Sequence, residues 1–328
     1  MDKFISVADL QSSKRTLSES IDKYAEKALK LKAKPLKFNH VGIGKRMGVL
    51  FLNPSLRTRI STQVAAHNLG MEPIVFNVTD EGWNWEMENG AIMNGTSVEH
   101  IKDAAPVLGQ FFDILALRTF PGLKNREEDY SEKILNAFIQ HCGVPVISLE
   151  SATLHPLQSF ADIITIKEQI TSQKKFNHRP KIVLTWAPHI KALPQCVANS
   201  FAQWVTAWDA ADFVITHPPG YELAEEYTVG ARITPDQEAA LENADFIYVK
   251  NWSSYHQYGQ MLSNDPSWML TNAHLANTNN AKVMHCLPVR RNIELSDEIL
   301  DGPNSIVTQQ AGNRVWSAQT IIHSILKA

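Results

Sequence analysis

Short, almost wholly apolar segments alternate with helical segments along most of the chain. Strands without polar alternation are typical of a parallel sheet that helices cover on both faces. Two successive series of such strands in 328 residues predict two cores. The predicted strands are Met47–Leu52, Pro73–Val78, Asp113–Leu117 and Val144–Leu149 in the first series, and Lys181–Trp186, Phe213–Thr216, Asp245–Lys250 and Lys282–Cys286 in the second.

The predicted fold class is α/β, with two doubly wound parallel-sheet domains linked by helices. We expect a first domain at residues 1–152 and a second at residues 153–310. The helical spacing of apolar residues predicts helices in most of the connections. The predicted helices are Leu17–Leu31, Thr58–Leu69, Val98–Phe112, Asp129–His141, Thr153–Ser172, Leu193–Trp208, Pro235–Glu242 and Arg314–Leu326.

Composition narrows the class of ligand. A formal net charge of −3 leaves no basic footprint for nucleic acid, and no apolar run approaches the roughly 20 residues that a membrane helix needs. We therefore expect a small-molecule substrate. The start of the sequence lacks the apolar core of a signal peptide, and the three cysteines are odd in number and widely spaced, so we expect the cytoplasm. Neither CxxC nor HExxH occurs, so we expect no metal.

The turn Phe51–Arg59 joins a predicted strand to a predicted helix. Pro54 favours a turn, and Ser55 is a candidate N-cap. Arg57 and Arg59 lie in the first helical turn, where unpaired backbone N–H groups and the helix dipole already attract anions. This pattern predicts a phosphate site; the alternative is an ordinary capped helix with solvated arginines. The glycine patterns GxGxxG and GxxxxGK[ST] are absent from this turn, which disfavours a nucleotide and a nicotinamide dehydrogenase.

Other chemically capable residues lie at or just beyond the predicted strand ends. In open parallel sheets, ligands bind at the carboxyl ends of the strands, so we expect these residues to face a cleft there. His155 precedes a proline at a helix start, where the positive helix end disfavours the imidazolium form. The strand-end residues are Arg118, Glu150, His189, Lys250 and His285.

Three motifs together resemble those of the aspartate/ornithine carbamoyltransferases. They are Ser55-Leu56-Arg57-Thr58-Arg59, His155-Pro156-Leu157-Gln158 and His285-Cys286-Leu287-Pro288. The resemblance implies transfer of a carbamoyl group from carbamoyl phosphate to an amine, without a cofactor. It also implies that the terminal helix, residues 311–328, returns to the first domain, which would bind carbamoyl phosphate.

The resemblance also implies individual roles. His155, Thr58 and Arg118 would form an oxyanion hole, Gln158 would hold the carbamoyl NH2, and Leu56 would act through its backbone. Cys286 would orient the amine, because phosphate is already a good leaving group and no acyl-enzyme is needed. The expected catalytic residues are His155, Arg118, Thr58 and Cys286. The expected carbamoyl phosphate ligands are Ser55, Leu56, Arg57, Thr58, Trp83, Arg118, His155, Gln158, Cys286, Leu287 and Arg314.

The amine is expected to be an N-acylornithine. Enzymes for free ornithine carry a Ser-Met-Gly loop, which is absent here, whereas Trp186-Ala187-Pro188-His189 and Lys250-Asn251-Trp252 resemble the N-acylornithine branch. Such an amine lies in arginine biosynthesis. The expected substrate-binding residues are Glu150, His189, Lys191, Lys250, Leu287, Arg290 and Val98.

Val98 bears on the acyl group. The resemblance implies an acidic residue there in acetyl-specific enzymes and proline in succinyl-specific ones, and valine matches neither. An uncharged pocket admits a succinyl carboxylate, and Lys191 could supply a cation, although it could equally be a free surface lysine. N-succinylornithine is therefore favoured over N-acetylornithine. The rivals are an ornithine or aspartate carbamoyltransferase and a catalytically silent phosphate-binding assembly subunit.

The segment Asp80–Asn94 fits neither helical nor strand spacing and is predicted to be a long exposed loop. It contains Trp83 and Trp85, which either serve a lid or subunit contact or pack back on their own domain. The resemblance implies that Trp83 reaches carbamoyl phosphate in a neighbouring subunit, in a homotrimer.

Overall fold

The computed structural model describes residues 1–172 and 178–327. These residues form two compact units. Unit 1 contains Met1–Asp9, Glu26–Leu157 and the carboxyl-terminal segment from Arg314, and unit 2 contains Leu10–Ala25 and Gln158–Asn313. Residues 10–25 therefore belong to unit 2, although the sequence analysis placed them in the first domain. The sequence-based domain boundaries at residues 152 and 310 stay predictions.

Each unit is built on one five-stranded parallel sheet. The strands are β1 (Lys3–Phe4), β2 (Arg46–Phe51), β3 (Glu72–Asn77), β4 (Trp85–Glu86), β5 (Glu99–His100), β6 (Ile114–Arg118), β7 (Val146–Glu150), β8 (Lys181–Trp186), β9 (Asp212–Thr216), β10 (Arg232–Thr234), β11 (Phe246–Lys250) and β12 (Lys282–Met284).

Helices fill the connections between the strands. They are α1 (Leu17–Ala33), α2 (Leu56–Asn68), α3 (Val78–Glu81), α4 (Ile101–Phe111), α5 (Arg126–Tyr130), α6 (Lys133–His141), α7 (Pro156–Ser172), α8 (Cys196–Trp208), α9 (Glu225–Thr228), α10 (Gln237–Leu241), α11 (Asn272–Leu275), α12 (Asp297–Leu300) and α13 (Val307–Leu326), with 3-10 helices at Val7–Leu10 and Pro266–Trp268.

The strand order confirms the predicted doubly wound α/β class. The sheet of unit 1 runs β1-β7-β6-β2-β3, so the chain leaves β2 toward β3 and later returns to the other side of β2 with β6. The sheet of unit 2 runs β10-β9-β8-β11-β12 and reverses between β8 and β11 in the same way. Each reversal opens a crevice at the carboxyl ends of two neighbouring strands, which is where such sheets bind ligands.

Apolar burial explains why these segments are strands. In β2, Met47, Val49 and Leu50 are fully buried, and the central residues of β6 are equally inaccessible. The same holds for Ile182 and Val183 in β8. A strand buried on both faces has no reason to alternate polar with apolar residues, which is why the sequence located these strands to within two residues.

The predicted helix Asp129–His141 is wrong as a single element. It divides into α5 and α6 because Glu132 takes a left-handed backbone conformation with φ of 50°. The Glu132 carboxylate accepts hydrogen bonds from the Ser151 hydroxyl at 2.6 Å and from the Thr153 backbone N–H at 2.9 Å and hydroxyl at 2.7 Å. A side chain that caps another loop in this way outweighs the local helical preference.

Three further details differ from the sequence-based expectations. Ser55 occupies the N-cap position of α2 with extended backbone, but its side chain makes no capping hydrogen bond. The last helix begins at Val307, seven residues before the predicted start. The segment Asp80–Asn94 is not wholly loop, because it contains the end of α3 and strand β4, which pairs with β5. Within the residues described, no helix is both long and apolar enough to span a membrane.

Candidate active site

The carboxyl edge of the unit 1 sheet gathers a cluster of charged residues at its point of reversal. Arg118 ends β6 directly opposite Phe51, the last residue of β2. Its Nη1 donates to the backbone carbonyls of Asn53 at 3.0 Å and Pro54 at 3.2 Å. The guanidinium group therefore fixes the turn that leads from β2 into α2.

Glu150 ends β7 and pairs with Arg118 from the neighbouring strand. Its Oε2 accepts from Arg118 Nε at 2.9 Å and lies 2.8 Å from Nη2. The two residues face each other because a register shift between Leu117 and Arg118 brings Arg118 opposite Glu150. Both side chains are buried away from water, so each charge is stabilised by the opposite charge of its partner.

Arg314 brings a second guanidinium group to the same cluster. It lies on α13 and donates from Nη2 to the hydroxyl of Thr58, a buried residue in the first turn of α2. Ser317, one turn further on, donates to the carbonyl of Leu157 at 2.7 Å and so fixes α13 next to the start of α7. Arg57 precedes Thr58 in the first turn of α2, and its buried Nε has no hydrogen-bond partner among the described residues.

His155 immediately precedes α7 and is buried within this cluster. Burial lowers the pKa of its ring to about 3; the guanidinium groups of Arg314 and Arg118 act in the same direction, against the opposing effect of Glu150. Its Nε2 lies 3.8 Å from Glu150 Oε2, which is too long for a hydrogen bond. The ring is therefore neutral at physiological pH, and its buried Nδ1 has no hydrogen-bond partner among the residues that the structure describes.

The Glu150 carboxyl is ionised in this environment. Burial alone raises its pKa, but the charge and hydrogen bond of Arg118 and the charge of Arg314 outweigh burial and bring the pKa below its ordinary value. With His155 neutral, the two guanidinium groups are the charges that keep Glu150 ionised. Two guanidinium groups against one carboxylate leave the cluster positive beside the N-terminus of α2, which suits a phosphate.

In unit 2, hydrogen bonds connect the Trp186-Ala187 segment at the end of β8 with the Asn251-Trp252 segment after β11. These two strands are neighbours where the sheet reverses. Lys250 ends β11 opposite Trp186, the last residue of β8. The Trp186 indole donates to the Trp252 carbonyl at 2.9 Å, and the Asn251 amide donates to the Ala187 carbonyl at 2.6 Å. This edge therefore places the buried Lys250 amine in the position where the sheet reverses.

The predicted substrate residues of unit 2 differ in exposure. His189 is buried, and its Nδ1 accepts from the backbone N–H of Lys191 at 3.2 Å. The side chains of Lys191 and Arg290 are exposed. The exposure of Lys191 fits both sequence-based alternatives, a cation for the substrate and a free surface lysine.

The buried residues His285 and Glu294 fix the segment after β12. The sequence analysis identified His285 but not Glu294. The His285 ring lies 3.2 Å from Glu294 Oε1 and accepts from the Leu287 N–H at 2.9 Å. The other oxygen of Glu294 accepts from the Arg290 N–H at 2.8 Å. Burial raises the pKa of Glu294, but its bonds with His285, the Lys250 charge and the Arg290 N–H lower it to about 2. A glutamate between two apolar residues, Ile293 and Leu295, was the signal that sequence analysis missed.

Trp83 and Val98 lie near each other through the pairing of β4 with β5. The Trp83 indole donates to Glu99 Oε2 at 2.9 Å, and the Val98 N–H donates to the Asn84 carbonyl at 3.0 Å. Both side chains are exposed, at 52% for Trp83 and 64% for Val98. Trp85, in contrast, packs edge-on against Phe138, with the two ring centroids 5.3 Å apart. Of the two tryptophans, Trp85 therefore packs back on its own domain, whereas Trp83 remains exposed.

Comparison with known proteins identifies the chain's relatives. Residues 4–168 match the family model described as aspartate/ornithine carbamoyltransferase, carbamoyl-P binding domain. Residues 195–325 match the model of the Asp/Orn binding domain of the same family. An N-succinylornithine carbamoyltransferase of Bacteroides fragilis is 48% identical over 100% of this chain and 99% of its own. An N-acetylornithine carbamoyltransferase of Xylella fastidiosa is 33% identical over 91% and 94%.

Solved structures agree with these relatives. One is a mutant of N-acetyl-L-ornithine transcarbamylase in which valine replaces a glutamate, complexed with carbamyl phosphate and N-succinyl-L-norvaline. It is 30% identical to this chain, covers 99% of it and 100% of its own chain, and has a TM-score of 0.88.

The neutral state of His155 predicts a pH dependence of stability. The unfolded ring takes up a proton near pH 6.5, whereas the folded ring does so only near pH 3, so unfolding becomes more favourable as the pH falls through this interval. We expect the urea midpoint of the wild-type protein to fall more steeply between pH 6.5 and pH 4 than that of His155→Gln. Exchange of the exposed His67 for glutamine is the control. Equal slopes for wild type and His155→Gln would contradict the prediction.

Proposed function

Because the chain belongs to the aspartate/ornithine carbamoyltransferase family, we propose that it transfers the carbamoyl group of carbamoyl phosphate to the δ-amine of N-succinyl-L-ornithine. The products would be N-succinyl-L-citrulline and phosphate, in arginine biosynthesis. The observation that carries the proposal is the pair of buried guanidinium groups, Arg118 and Arg314, beside the neutral His155 and the first turn of α2. It provides a grip for phosphate next to a donor for a carbonyl oxygen.

The phosphate would bind at the N-terminus of α2. Ser55, Leu56, Arg57 and Thr58 would provide backbone N–H groups, a hydroxyl and a guanidinium group to its oxygens. The buried, unpartnered Nε of Arg57 supports this assignment, because a buried donor without an acceptor is costly unless a ligand satisfies it. Arg314 is held beside Thr58 and would neutralise the same anion.

The carbonyl oxygen would be polarised by His155, Thr58 and Arg118. As the δ-amine adds to the carbonyl carbon, this oxygen gains negative charge, and donors already aimed at it stabilise the transition state. The C–O bond to phosphate then breaks, phosphate leaves with the electron pair, and the amine loses one proton. Gln158 would hold the carbamoyl NH2, while Cys286 and the Leu287 carbonyl would orient the attacking amine without a covalent intermediate.

The residues predicted for the N-acylated amino acid would each meet one of its polar groups. Its carboxylate would meet Lys250 and Arg290, and Glu150 and His189 would contact its remaining polar groups. Lys250 lies at the point where its sheet reverses, and parallel sheets bind ligands at that edge, which supports a ligand carboxylate there.

The succinyl group is favoured over acetyl by two observations. The Bacteroides relative with the higher identity bears the name N-succinylornithine carbamoyltransferase. In addition, Val98 is uncharged, and a related transcarbamylase in which valine replaces a glutamate has been solved with an N-succinyl compound. A carboxylate near the acyl group would repel the succinate end. Lys191 would provide an attractive charge instead.

The active form would be a cytoplasmic homotrimer in which Trp83 serves the site of a neighbouring chain. The exposure of Trp83 and Val98 on one two-stranded element supports this arrangement. A large aromatic side chain that is half exposed and tethered through its N–H is suited to contact a surface beyond its own unit.

A substrate panel tests the function. We expect citrulline-type product from carbamoyl phosphate with N-succinyl-L-ornithine, and much less from N-acetyl-L-ornithine, ornithine or aspartate. Loss of one oxyanion donor in His155→Ala should lower turnover about 10²–10³-fold while the circular dichroism spectrum is retained. Product from none of the four amines would reject the proposal, and near-normal turnover of His155→Ala would reject the role of His155.

The acyl selectivity is tested by Val98→Glu. An added carboxylate should lower kcat/KM for N-succinyl-L-ornithine at least about tenfold through repulsion, with a smaller effect on the uncharged acetyl substrate. Val98→Gln, which has a similar size but no charge, is the matched control. Equal losses for both acyl groups would show that Val98 does not face the succinyl carboxylate.

The trimer is tested by mixing two inactive variants, Trp83→Ala and His155→Ala. If Trp83 serves a neighbouring chain, random mixed trimers contain sites with both native residues, and about a quarter of the sites should be restored in an equal mixture. Light scattering should give three times the chain mass. If Trp83 acts within its own chain, no mixture regains activity.

A further inference from the structure

Glu132 lies between α5 and α6, and its carboxylate reaches the segment between two residues of the candidate site. Its Oε1 accepts from the Ser151 hydroxyl at 2.6 Å, the Thr153 hydroxyl at 2.7 Å and the Thr153 backbone N–H at 2.9 Å. Glu150 precedes this segment and His155 follows it. We propose that Glu132 is a positioning residue, which holds His155 where its ring reaches the carbonyl oxygen of carbamoyl phosphate.

The contact is passed on to His155 through the residue before it. The Ser151 hydroxyl, which donates to Glu132, also accepts from the Leu154 backbone N–H at 3.3 Å. The Ser151 backbone N–H donates to the Leu154 carbonyl at 2.8 Å. Ser151 and Leu154 therefore close a small turn, and the Glu132 carboxylate fixes this turn from one side. Because His155 is the next residue, the direction in which its ring enters the cluster depends on the turn.

The His155 ring has little to fix it apart from packing and its own backbone. Its Nδ1 has no hydrogen-bond partner among the described residues, and its Nε2 lies 3.8 Å from Glu150 Oε2, beyond hydrogen-bond distance. A shift of the preceding turn would therefore move the ring, and a catalytic group displaced by about 1 Å can cost about 10²-fold in rate. The inference rests on the proposed function, since it requires that His155 donate to a carbonyl oxygen.

The backbone of Glu132 also points to a role for its side chain. Its φ of 50° is left-handed, a conformation that glycine, asparagine and aspartate adopt more readily than glutamate. Strain of this kind persists where the surrounding structure requires it, and it is common at functional sites. Glycine at position 132 would relieve the strain and remove the carboxylate, so Glu132→Gly tests the side chain without adding a backbone conflict.

Turnover and phosphate affinity separate this role from general support of the fold. In Glu132→Gly, we expect kcat for carbamoyl phosphate with N-succinyl-L-ornithine to fall at least about tenfold, because the His155 donor is misplaced. The inhibition constant of inorganic phosphate should change less than about threefold, because Arg57, Thr58 and Arg314 lie on α2 and α13 and not on the turn. Glu132→Gln should keep kcat within about threefold of the wild-type value, since its amide oxygen can accept the same hydrogen bonds.

Further variants make the test specific to His155. In the His155→Ala background, Glu132→Gly should lower kcat less than about twofold further, because a ring that is absent cannot be misplaced. Ser151→Ala removes the hydroxyl between Glu132 and Leu154; it should show the same pattern to a smaller extent, and it serves if Glu132→Gly fails to fold. Glu127→Ala, which removes an exposed carboxylate from α5, is the control and should change neither quantity.

The outcomes are distinguishable. Equal losses of kcat in the wild-type and His155→Ala backgrounds, or a loss of phosphate affinity as large as the loss of kcat, would show that Glu132 acts only through the fold and would overturn the inference. Unchanged turnover of Glu132→Gly would overturn it as well. Failure of the wild-type protein to form product would instead reject the proposed function, and the inference with it.

Discussion

The buried pair of Arg118 and Glu150 is the interaction on which the unit 1 site depends. It links the ends of two neighbouring strands, and the same guanidinium group holds the carbonyls of the turn into α2. Without Glu150, Arg118 would be a buried cation in the same cluster as Arg314, with no carboxylate to compensate either charge. The pair thus lets a sheet edge carry a strongly positive pocket while the fold retains a compensating negative charge.

This compensation has a chemical consequence for His155. The guanidinium groups make protonation of the ring unfavourable, and burial adds to their effect. A neutral imidazole surrounded by fixed cations can donate a hydrogen bond but does not carry a charge that must be desolvated. The arrangement is suited to stabilise charge that develops during a reaction and not charge that is already present in the substrate.

Much of the fold was predictable because parallel strands buried on both faces leave a plain apolar signature. The strands β8 and β11 were located to within one residue, and the strand-end positions of Arg118, Glu150 and Lys250 followed from them. Strands of two or three residues, such as β1 and β10, are too short to show a period. The division of α5 from α6 was not predictable, since it depends on contacts of Glu132 with residues about 20 positions away.

The same limit applies to the candidate site. Residues that belong to a motif, such as Arg57 or His155, were identified from sequence, whereas the importance of Glu294 is visible only from its tertiary contacts with His285 and Arg290. The pairing of β4 with β5 shows a further consequence. Trp83 and Val98 are held by one short ribbon, so an insertion or deletion between them would displace both together. If Val98 contacts the acyl group as proposed, acyl preference would change by exchange of this single side chain at constant loop length.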